Sequence, residues 1–525
     1  MLSGIGLDVE HLSDVEIFDL ALDSRQVTDG ALFIAIQGSN GHGLDYVDEA
    51  IANGAVAVLY DQWSKQIPGN IPALKVRELR TQIGYLANIF YEHPCQNMQV
   101  IGVTGTNGKT TTVHLITQLA ERLGYKVARI GTLGVSVGSD RLADLDRTTP
   151  DAVSLLKIFA KLQSLNVRVV AMEVSSHALD QYRVHGIPFE VAVMTNLTRD
   201  HLDYHGDMDS YGRAKARLFF DFNIRCAVLN SDDPFCKKLA DTLTDKEVVT
   251  FGNLASDFQI QCIEPITTGS RISLSVQGVA CSIEFPLLGE FNVQNVLAAV
   301  GAVTAIKPQR TMEVLGLINQ LEVVPGRMEW FKTHKSATVV VDYAHTPDAL
   351  EKALSTCRIH CPGEIWSVFG CGGGRDSGKR PLMGRIASEL SDHIVLTSDN
   401  PRFESPLRII GEIRSGMVKP PILEEVDRSK AIQFALDTAN PNDYILLAGK
   451  GHENHQVIGE RTESFSDRVE VARLLKCSGS GGSTCFLRSW GIWPGISMCL
   501  LKVQYQSLDL LSTVARLLLV ISSWP

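Results

Sequence analysis

Short apolar runs recur along the chain, and most of them end in a turn rich in glycine or polar residues. The clearest are Gly30–Ile36, Gly54–Leu59, Gln99–Val103, Asn166–Met172, Val191–Asn196, Thr338–Val341, Ile365–Phe369, His393–Thr397 and Tyr444–Leu447. Continuous apolar runs, rather than strict alternation, predict strands buried on both faces, as in parallel sheets covered by helices. Helical spacing falls between them, at Asp45–Ala52, from Thr110 to Leu123, over Tyr211–Phe220 and in a helix opening near Gly289. The alternation predicts an α/β protein. Two breaker clusters divide it, Glu92–Asn97 and Val323–Glu329, and a linker-like Cys477–Thr484 follows. The expected domains are 1–97, 98–329 and 330–476, with an atypical tail at 477–525.

The length of 525 residues agrees with roughly three domains of about 150 residues. A net charge of −10 argues against a broad nucleic-acid face. The eleven cysteines include no CxxC pair and mostly sit in apolar surroundings, so reduced thiols in a cytoplasmic protein are expected. Met1–Glu10 has no basic, then apolar, leader pattern, and no signal peptide is expected. In the tail, Lys502, Asp509 and Arg516 interrupt the apolar stretch Leu500–Ile521, which makes it weak as a membrane span. The tail reads either as an amphipathic helix or as a disordered product of a shifted reading frame. The second is preferred, because nothing upstream leaves room for it in the fold.

The strongest chemical signal is Thr104-Gly-Thr-Asn-Gly-Lys-Thr-Thr111, placed between the strand Gln99–Val103 and a helix. Backbone N–H groups of such a turn, with the helix N-terminus, face anionic phosphate oxygens. Lys109 would reach the terminal phosphates and the Thr110 hydroxyl would ligate Mg²⁺. Strict P-loop spacing puts glycine where Val103 stands, so strand and helix context carry the assignment.

Other candidates are weaker taken singly. Glu173 ends a buried run and could hold Mg²⁺, although a surface glutamate at a strand end is the common alternative. His201 lies in the metal-capable Leu197–Gly206 segment. Lys215 on a basic-apolar helix would ordinarily be a solvated face residue. Asn292, at a helix start, is as easily an N-cap as a ligand group. In the third domain, four runs feed the loops after Asp342, Gly370, Asp399 and Gly449. Carboxyl ends of strands in a doubly wound sheet line a ligand crevice, and four such loops argue for a binding edge.

These blocks, with Glu173-Val-Ser-Ser-His-Ala178, Gly289-Glu-Phe-Asn292, Pro325-Gly-Arg-Met-Glu329, Asp342-Tyr-Ala-His-Thr-Pro347 and Gly449-Lys-Gly-His-Glu453, resemble the Mur ligases in order and spacing over residues 20–475. The resemblance implies a small N-terminal α/β domain that binds a uridine nucleotide, a central P-loop ATPase domain on a mostly parallel sheet, and a Rossmann-like C-terminal domain for the amino acid. It implies an ATP-dependent amide-bond ligase of peptidoglycan synthesis, nearest to members that extend UDP-N-acetylmuramoyl-L-alanyl-D-glutamate.

Site roles follow from the same resemblance. ATP would lie on Gly105, Thr106, Asn107, Gly108, Lys109, Thr110 and Thr111, with Asn292, Arg327 and Asp342 across the cleft. The nucleotide-sugar dipeptide would lie on Leu22, Ser24, Ser39, Asn40, Gly41, Thr148, Thr149, Ser175, Gln181 and Arg183. Arg147 stands where a relative has asparagine, which leaves its own contact open. Lys215 matches a lysine that the family carbamylates, so Thr110, Glu173, His201 and N6-carboxylated Lys215 form the implied Mg²⁺ set, and Lys109, Glu173, His201 and Lys215 the catalytic group. Asp399-Asn400-Pro401-Arg402 resembles the signature of members adding meso-diaminopimelate, with Arg375, Gly449 and Glu453 on its other charged ends. A guanidinium can pair bidentately with the second carboxylate, which lysine lacks. The expected partners are these small molecules only: no nucleic acid, no membrane span, and a monomer, though nothing in the sequence sets the assembly. A lysine-adding or other Mur ligase and a folylpolyglutamate-type synthase remain open, as does a P-loop ATPase switch without ligase activity.

Overall fold

The computed structural model describes residues 15 to 477 apart from 39–40, 63–65, 70, 267–268, 277 and 334–336. The candidates Ser39 and Asn40, and the tail beyond 477, lie outside the described residues.

Among the described residues the apolar runs form three principal sheets. The first holds four parallel strands, Asp19–Ala21, Ala31–Ala35, Ala55–Tyr60 and Ala73–Lys75. The stretch expected to be helical over Asp45–Ala52 splits into a 3-10 turn, Gly43–Tyr46, and a helix, Val47–Ala52. His42 caps the turn, accepting the N–H of Leu44 on Nδ1 at 3.1 Å.

The central sheet has eleven strands. Its parallel middle runs in the order Glu247–Gly252, Cys226–Asn230, Phe189–Met194, Gln99–Thr104, Val169–Glu173, Val127–Gly131. Gln99–Thr104, which feeds the P-loop, pairs in parallel with a neighbour on each side, so the loop emerges at mid-sheet. Further strands extend both flanks: Gly134–Val137 and Asp140–Ala143, antiparallel, on one, and on the other Phe258–Ile266, which joins in parallel, followed by Gly269–Val276 and Val279–Phe285, antiparallel. These flanks were not visible as apolar runs, because the outer strands expose much of their length: Asp140–Ala143 is exposed over its first three residues, and Val279–Phe285 is buried only at Phe285. The helix Glu290–Ile306 is buried nearly all round and packs on the helix Lys109–Arg122. A helix apolar on every side belongs in an interior.

The third sheet takes the expected runs as four parallel strands, Thr338–Asp342, Tyr444–Ala448, Ile365–Phe369 and His393–Leu396. Glu329–Lys332 adds an antiparallel edge and Leu423–Glu424 a short parallel one. A separate hairpin, His455–Ile458 with Arg461–Ser464, stands beside it.

The cores do not respect the sequence divisions equally. Leu20, Ile34, Leu59, Leu79 and Ile83 of the first domain share one apolar cluster with Leu155, Phe159, Met172 and Phe189 of the second. Their backbones touch there as well: a Cβ on Gly84 would collide with the carbonyl of His185. The third domain has its own cluster around Val340, Phe369, Leu396 and Leu446, which takes in Leu288 from the second.

Candidate active site

The P-loop conformation depends on glycine at two positions. Gly105 and Gly108 have φ of 144° and 87°, where a side chain is strained. A Cβ would also strike Thr195 Oγ1 at Gly105 and Asn295 Oδ1 at Gly108. The loop after Phe189–Met194 braces it. Asn107 N–H donates to Asn196 Oδ1 at 2.9 Å, Thr195 Oγ1 donates to the Asn107 carbonyl at 2.6 Å, and Thr106 Oγ1 donates to the Thr198 carbonyl at 3.1 Å. Thr195, Asn196 and Thr198 were not singled out from the sequence, since their role exists only through strand pairing.

Two lysines converge on one carbonyl. Lys109 Nζ donates to the carbonyls of Gly105 and Thr106 at 2.8 and 2.9 Å, and Lys215 Nζ donates to Gly105 O at 2.8 Å. Lys215 is not a solvated face residue: it is 1% exposed, with its Nζ 4.5 Å from the centre of the Tyr211 ring. Burial, reinforced by the charge of Lys109, pushes its amine well below the usual lysine range, against the pull of Asp200. Burial also lowers Lys109, with Glu173 and Asp200 opposing.

Glu173 is 1% exposed and fully engaged. It accepts Thr110 Oγ1 at 3.0 Å, Thr132 N–H at 2.8 Å and Thr132 Oγ1 at 3.1 Å. The surface reading of Glu173 is thereby excluded. His201 sits at φ 53° beside Asp200, which accepts its N–H at 2.9 Å, and its ring meets His177 edge-on at 4.9 Å. Burial holds the imidazole below its ordinary range, with Asp200 opposing.

Among the described residues no three His, Cys, Asp or Glu side chains group around a metal position. The implied Mg²⁺ set does not need such a trio. A hydroxyl and a carboxylate at 3.0 Å are hard oxygen donors of the kind Mg²⁺ takes, and burial pushes the Lys215 amine toward the neutral form, the form that combines with CO₂ to add another. The residues present fit the ion.

Next to the P-loop an open cleft of about 730 Å³ separates the second and third domains. Asn107, Gly108, Thr111, Arg327 and Asp342 line it, as the resemblance implied. Asn292 does not: it is 2% exposed, and its Oδ1 accepts Asn295 Nδ2 at 3.2 Å, so Asn295 is the amide at the wall. Arg327 donates to Thr110 Oγ1 at 3.2 Å and stacks 4.4 Å over Tyr343. Across the cleft Asn107 Nδ2 donates to Asp348 Oδ2 at 2.9 Å.

Beyond Glu173 a connected polar group continues. Thr149 Oγ1 donates to the Glu173 carbonyl at 2.9 Å, Ser175 N–H donates to Thr149 Oγ1 at 3.2 Å, and Arg183 Nη1 donates to the Thr149 carbonyl at 3.1 Å. Gln181 Oε1 accepts Arg183 Nη2 at 2.6 Å, and Thr148 Oγ1 is 3.2 Å from Thr132 Oγ1. Five of the proposed dipeptide residues thus form one patch. Leu22 and Gly41 belong to loops of the first domain, and Ser24 opens the 3-10 turn Ser24–Gln26, where its Oγ donates to Glu49 Oε2 at 2.5 Å.

In the third domain the predicted loops meet. Asn400 Nδ2 donates to Glu453 Oε2 at 2.9 Å, and Lys450 Nζ donates to the same oxygen at 2.9 Å while lying 3.9 Å from Asp399. Gly449 has φ 114°, and a Cβ there would sit 2.9 Å from Asp399 Oδ2. Pro401 is buried, and Arg402, at φ 52°, donates from Nη1 to the Gly373 carbonyl at 2.8 Å. Burial, then the nearby charge of Arg375, lower the Arg402 guanidinium. Lys450 is buried completely between Asp399 and Glu453, a setting that arises only in the folded chain and that the motif Gly449-Lys-Gly-His-Glu453 does not signal by itself.

Comparison with known proteins places all three parts. Family models match at residues 16–91 (Mur ligase family, catalytic domain), 103–303 (Mur ligase middle domain) and 326–451 (Mur ligase, glutamate ligase domain). A UDP-N-acetylmuramoyl-L-alanyl-D-glutamate–2,6-diaminopimelate ligase of Alkalilimnicola ehrlichii is 43% identical over 487 residues, covering 89% of this chain and 97% of its own. One of the same name from Vibrio vulnificus is 41% identical, covering 90% and 97%. A solved structure of a ligase of that name is 34% identical with a TM-score of 0.62, covering 88% of this chain and 95% of that one.

Proposed function

The chain belongs to the Mur ligase family, and on that premise we propose how its domains divide the work. It is an ATP-dependent amide-bond-forming ligase of peptidoglycan synthesis that adds meso-2,6-diaminopimelate to UDP-N-acetylmuramoyl-L-alanyl-D-glutamate. In this reading residues 1–97 hold the uridine nucleotide, 98–329 hold ATP, and 330–476 hold the amino acid. Among the described residues no helix is long and apolar enough to cross a membrane, and the enzyme is proposed to act in the cytoplasm as a monomer.

The observation that carries the residue assignments is the meeting of Lys109, Lys215 and Gly105 O at the end of the strand that also sets the P-loop, with Glu173 on Thr110. A carboxylate is a poor electrophile. The D-glutamyl carboxylate attacks the γ-phosphorus of ATP, releasing ADP and leaving an acyl phosphate, and the amine of diaminopimelate then displaces phosphate. The protein supplies positioning and charge. Lys109 faces the transferred phosphoryl group, while Arg327 and Asp342 close the nucleotide side. Mg²⁺, held by Thr110, Glu173, His201 and carbamylated Lys215, would neutralise phosphate charge. Arg402 takes the distal carboxylate, and Asp399, Asn400, Glu453 and Arg375 take the remaining charged ends.

Phosphate release in the presence of ATP and the nucleotide-sugar dipeptide tests this. Meso-diaminopimelate should support turnover and lysine far less, and Arg402→Glu should remove the preference. ATP hydrolysis indifferent to every amino acid would instead identify a nucleotide switch.

A further inference from the structure

Behind the amino-acid loops lies a charge cluster that no assigned role uses. Arg380, 1% exposed, sits in the helix Lys379–Leu390. Its guanidinium pairs with Glu404 through both branches, Nη1 to Oε2 at 2.9 Å and Nη2 to Oε1 at 3.0 Å. It also donates to the Gly372 carbonyl at 3.1 Å and to Glu412 at 2.6 Å. Glu404 Oε1 accepts the N–H of Gly374 at 2.5 Å, and Glu404 N–H donates to the Pro401 carbonyl at 3.0 Å. The two loops are stitched again by Gly373 N–H to Asn400 O at 2.9 Å, and a Cβ on Gly373 would strike the Pro401 carbonyl. One loop carries Arg375, directly after Gly374, and the other carries Arg402, two residues before Glu404. The charges of Arg375 and Arg402 oppose each other across the two loops, while Arg402 Nη1 donating to the Gly373 carbonyl is a further link between them.

We propose that Arg380 and Glu404 form a clamp that fixes the spacing between Arg375 and Arg402 and thereby sets the preference for an amino acid with two carboxylates. Both are positioning residues, acting through the loops without touching the amino acid. Arg380 reaches the first loop through Gly372 O and the second through Glu404, and Glu404 returns to the first through Gly374. A charged, bidentate pair resists the separation that a neutral contact would allow. The proposal rests on the reading of Arg375 and Arg402 as the carboxylate-binding pair.

Steady-state kinetics of the full-length enzyme test it. Glu404→Gln should raise KM for meso-diaminopimelate about 10- to 100-fold. It should narrow the ratio of meso-diaminopimelate to lysine turnover and leave KM for ATP and for the nucleotide-sugar dipeptide unchanged. Arg380→Met, which also gives up the contact with Glu412, should do at least the same, and the double variant should be no worse than Arg380→Met alone, because the Arg380–Glu404 link is already lost there. Arg380→Lys, which keeps the charge, should recover part of the loss. A lower melting temperature with unchanged KM and unchanged preference would overturn the clamp and leave an ordinary structural ion pair. If Glu404→Gln does not fold, Glu404→Asp, too short to span both loops, is read by the same criteria. A wild-type enzyme that fails to use meso-diaminopimelate would defeat the functional reading itself. A competent wild type with indifferent variants would defeat only the clamp.

Discussion

Replacing Asp467 by alanine should destabilise the third domain by about 3–5 kcal/mol, the usual cost of stranding one member of a buried ion pair. Asp467 and Arg428 are both fully buried, and the pair is bidentate, with Nε and Nη2 of Arg428 each 2.7 Å from a carboxylate oxygen. The remaining partners of Arg428 are neutral, the carbonyls of Ala448 at 3.0 Å and Ser398 at 3.4 Å. Without Asp467 the cation keeps those dipoles and the more distant charges of Asp399 and Glu453 but loses its directly bonded counter-charge. For a domain of this size that cost corresponds to roughly 6–20 °C of melting temperature. Removing both charges, with Arg428→Met and Asp467→Leu together, should cost less than either single change, because no unpaired charge is left buried. Urea unfolding followed by tryptophan fluorescence reports on this region, since Trp366 is 2% exposed within the third sheet. Single variants costing under about 1 kcal/mol, or a double variant costing the sum of the singles, would refute the reasoning.

Gly108→Ala should weaken ATP binding sharply in calorimetry, since φ is 87° and the new Cβ collides with Asn295 Oδ1; unaltered affinity would show that the loop relaxes freely. Lys215→Arg should abolish amide formation, because a guanidinium cannot be carbamylated, and stripping CO₂ from the wild type should lower activity in a way that bicarbonate restores. Activity insensitive to both would remove carbamylation from the scheme. Glu404 should give a signature in acid. Its bonds to Arg380 hold its carboxyl at about 2, below the ordinary glutamate value of 4.5, so its contribution is complete above pH 4.5 and is lost as the pH falls toward 2. Melting curves of wild type and Glu404→Gln should therefore differ at neutral pH and converge in that acid window.

The partly exposed parallel strands Ala73–Lys75 and Glu247–Gly252 were not legible, whereas parallel strands buried on both faces read as unbroken apolar runs. Gln99–Thr104 and Tyr444–Ala448 are of this kind. The flanks of the central sheet were not legible either, since Phe258–Ile266 and Val279–Phe285 show water every second or third residue. Site residues followed the same divide. Lys109 and Thr110 are local to one motif, but Asn295 depends on a helix nearly two hundred residues downstream, and Lys450 gains meaning only when Asp399 and Glu453 close around it. The burial of Lys215 was out of reach of helical spacing, because its nearest carbonyl belongs to a strand end 110 residues earlier.

The apolar cluster common to the first two domains makes them a single calliper. One jaw carries the loops proposed to bind the uridine nucleotide and the other the proposed phosphoryl-transfer centre, and no greased joint lies between them. The span from nucleotide to reacting carboxylate is thus gauged by a fixed frame, and any change in stem length must be taken up where the third domain meets that frame. A chimera that borrows its first domain from a relative would have to bring along the opposing faces around Leu155, Phe159 and Ile83, or the gauge would be cut in two.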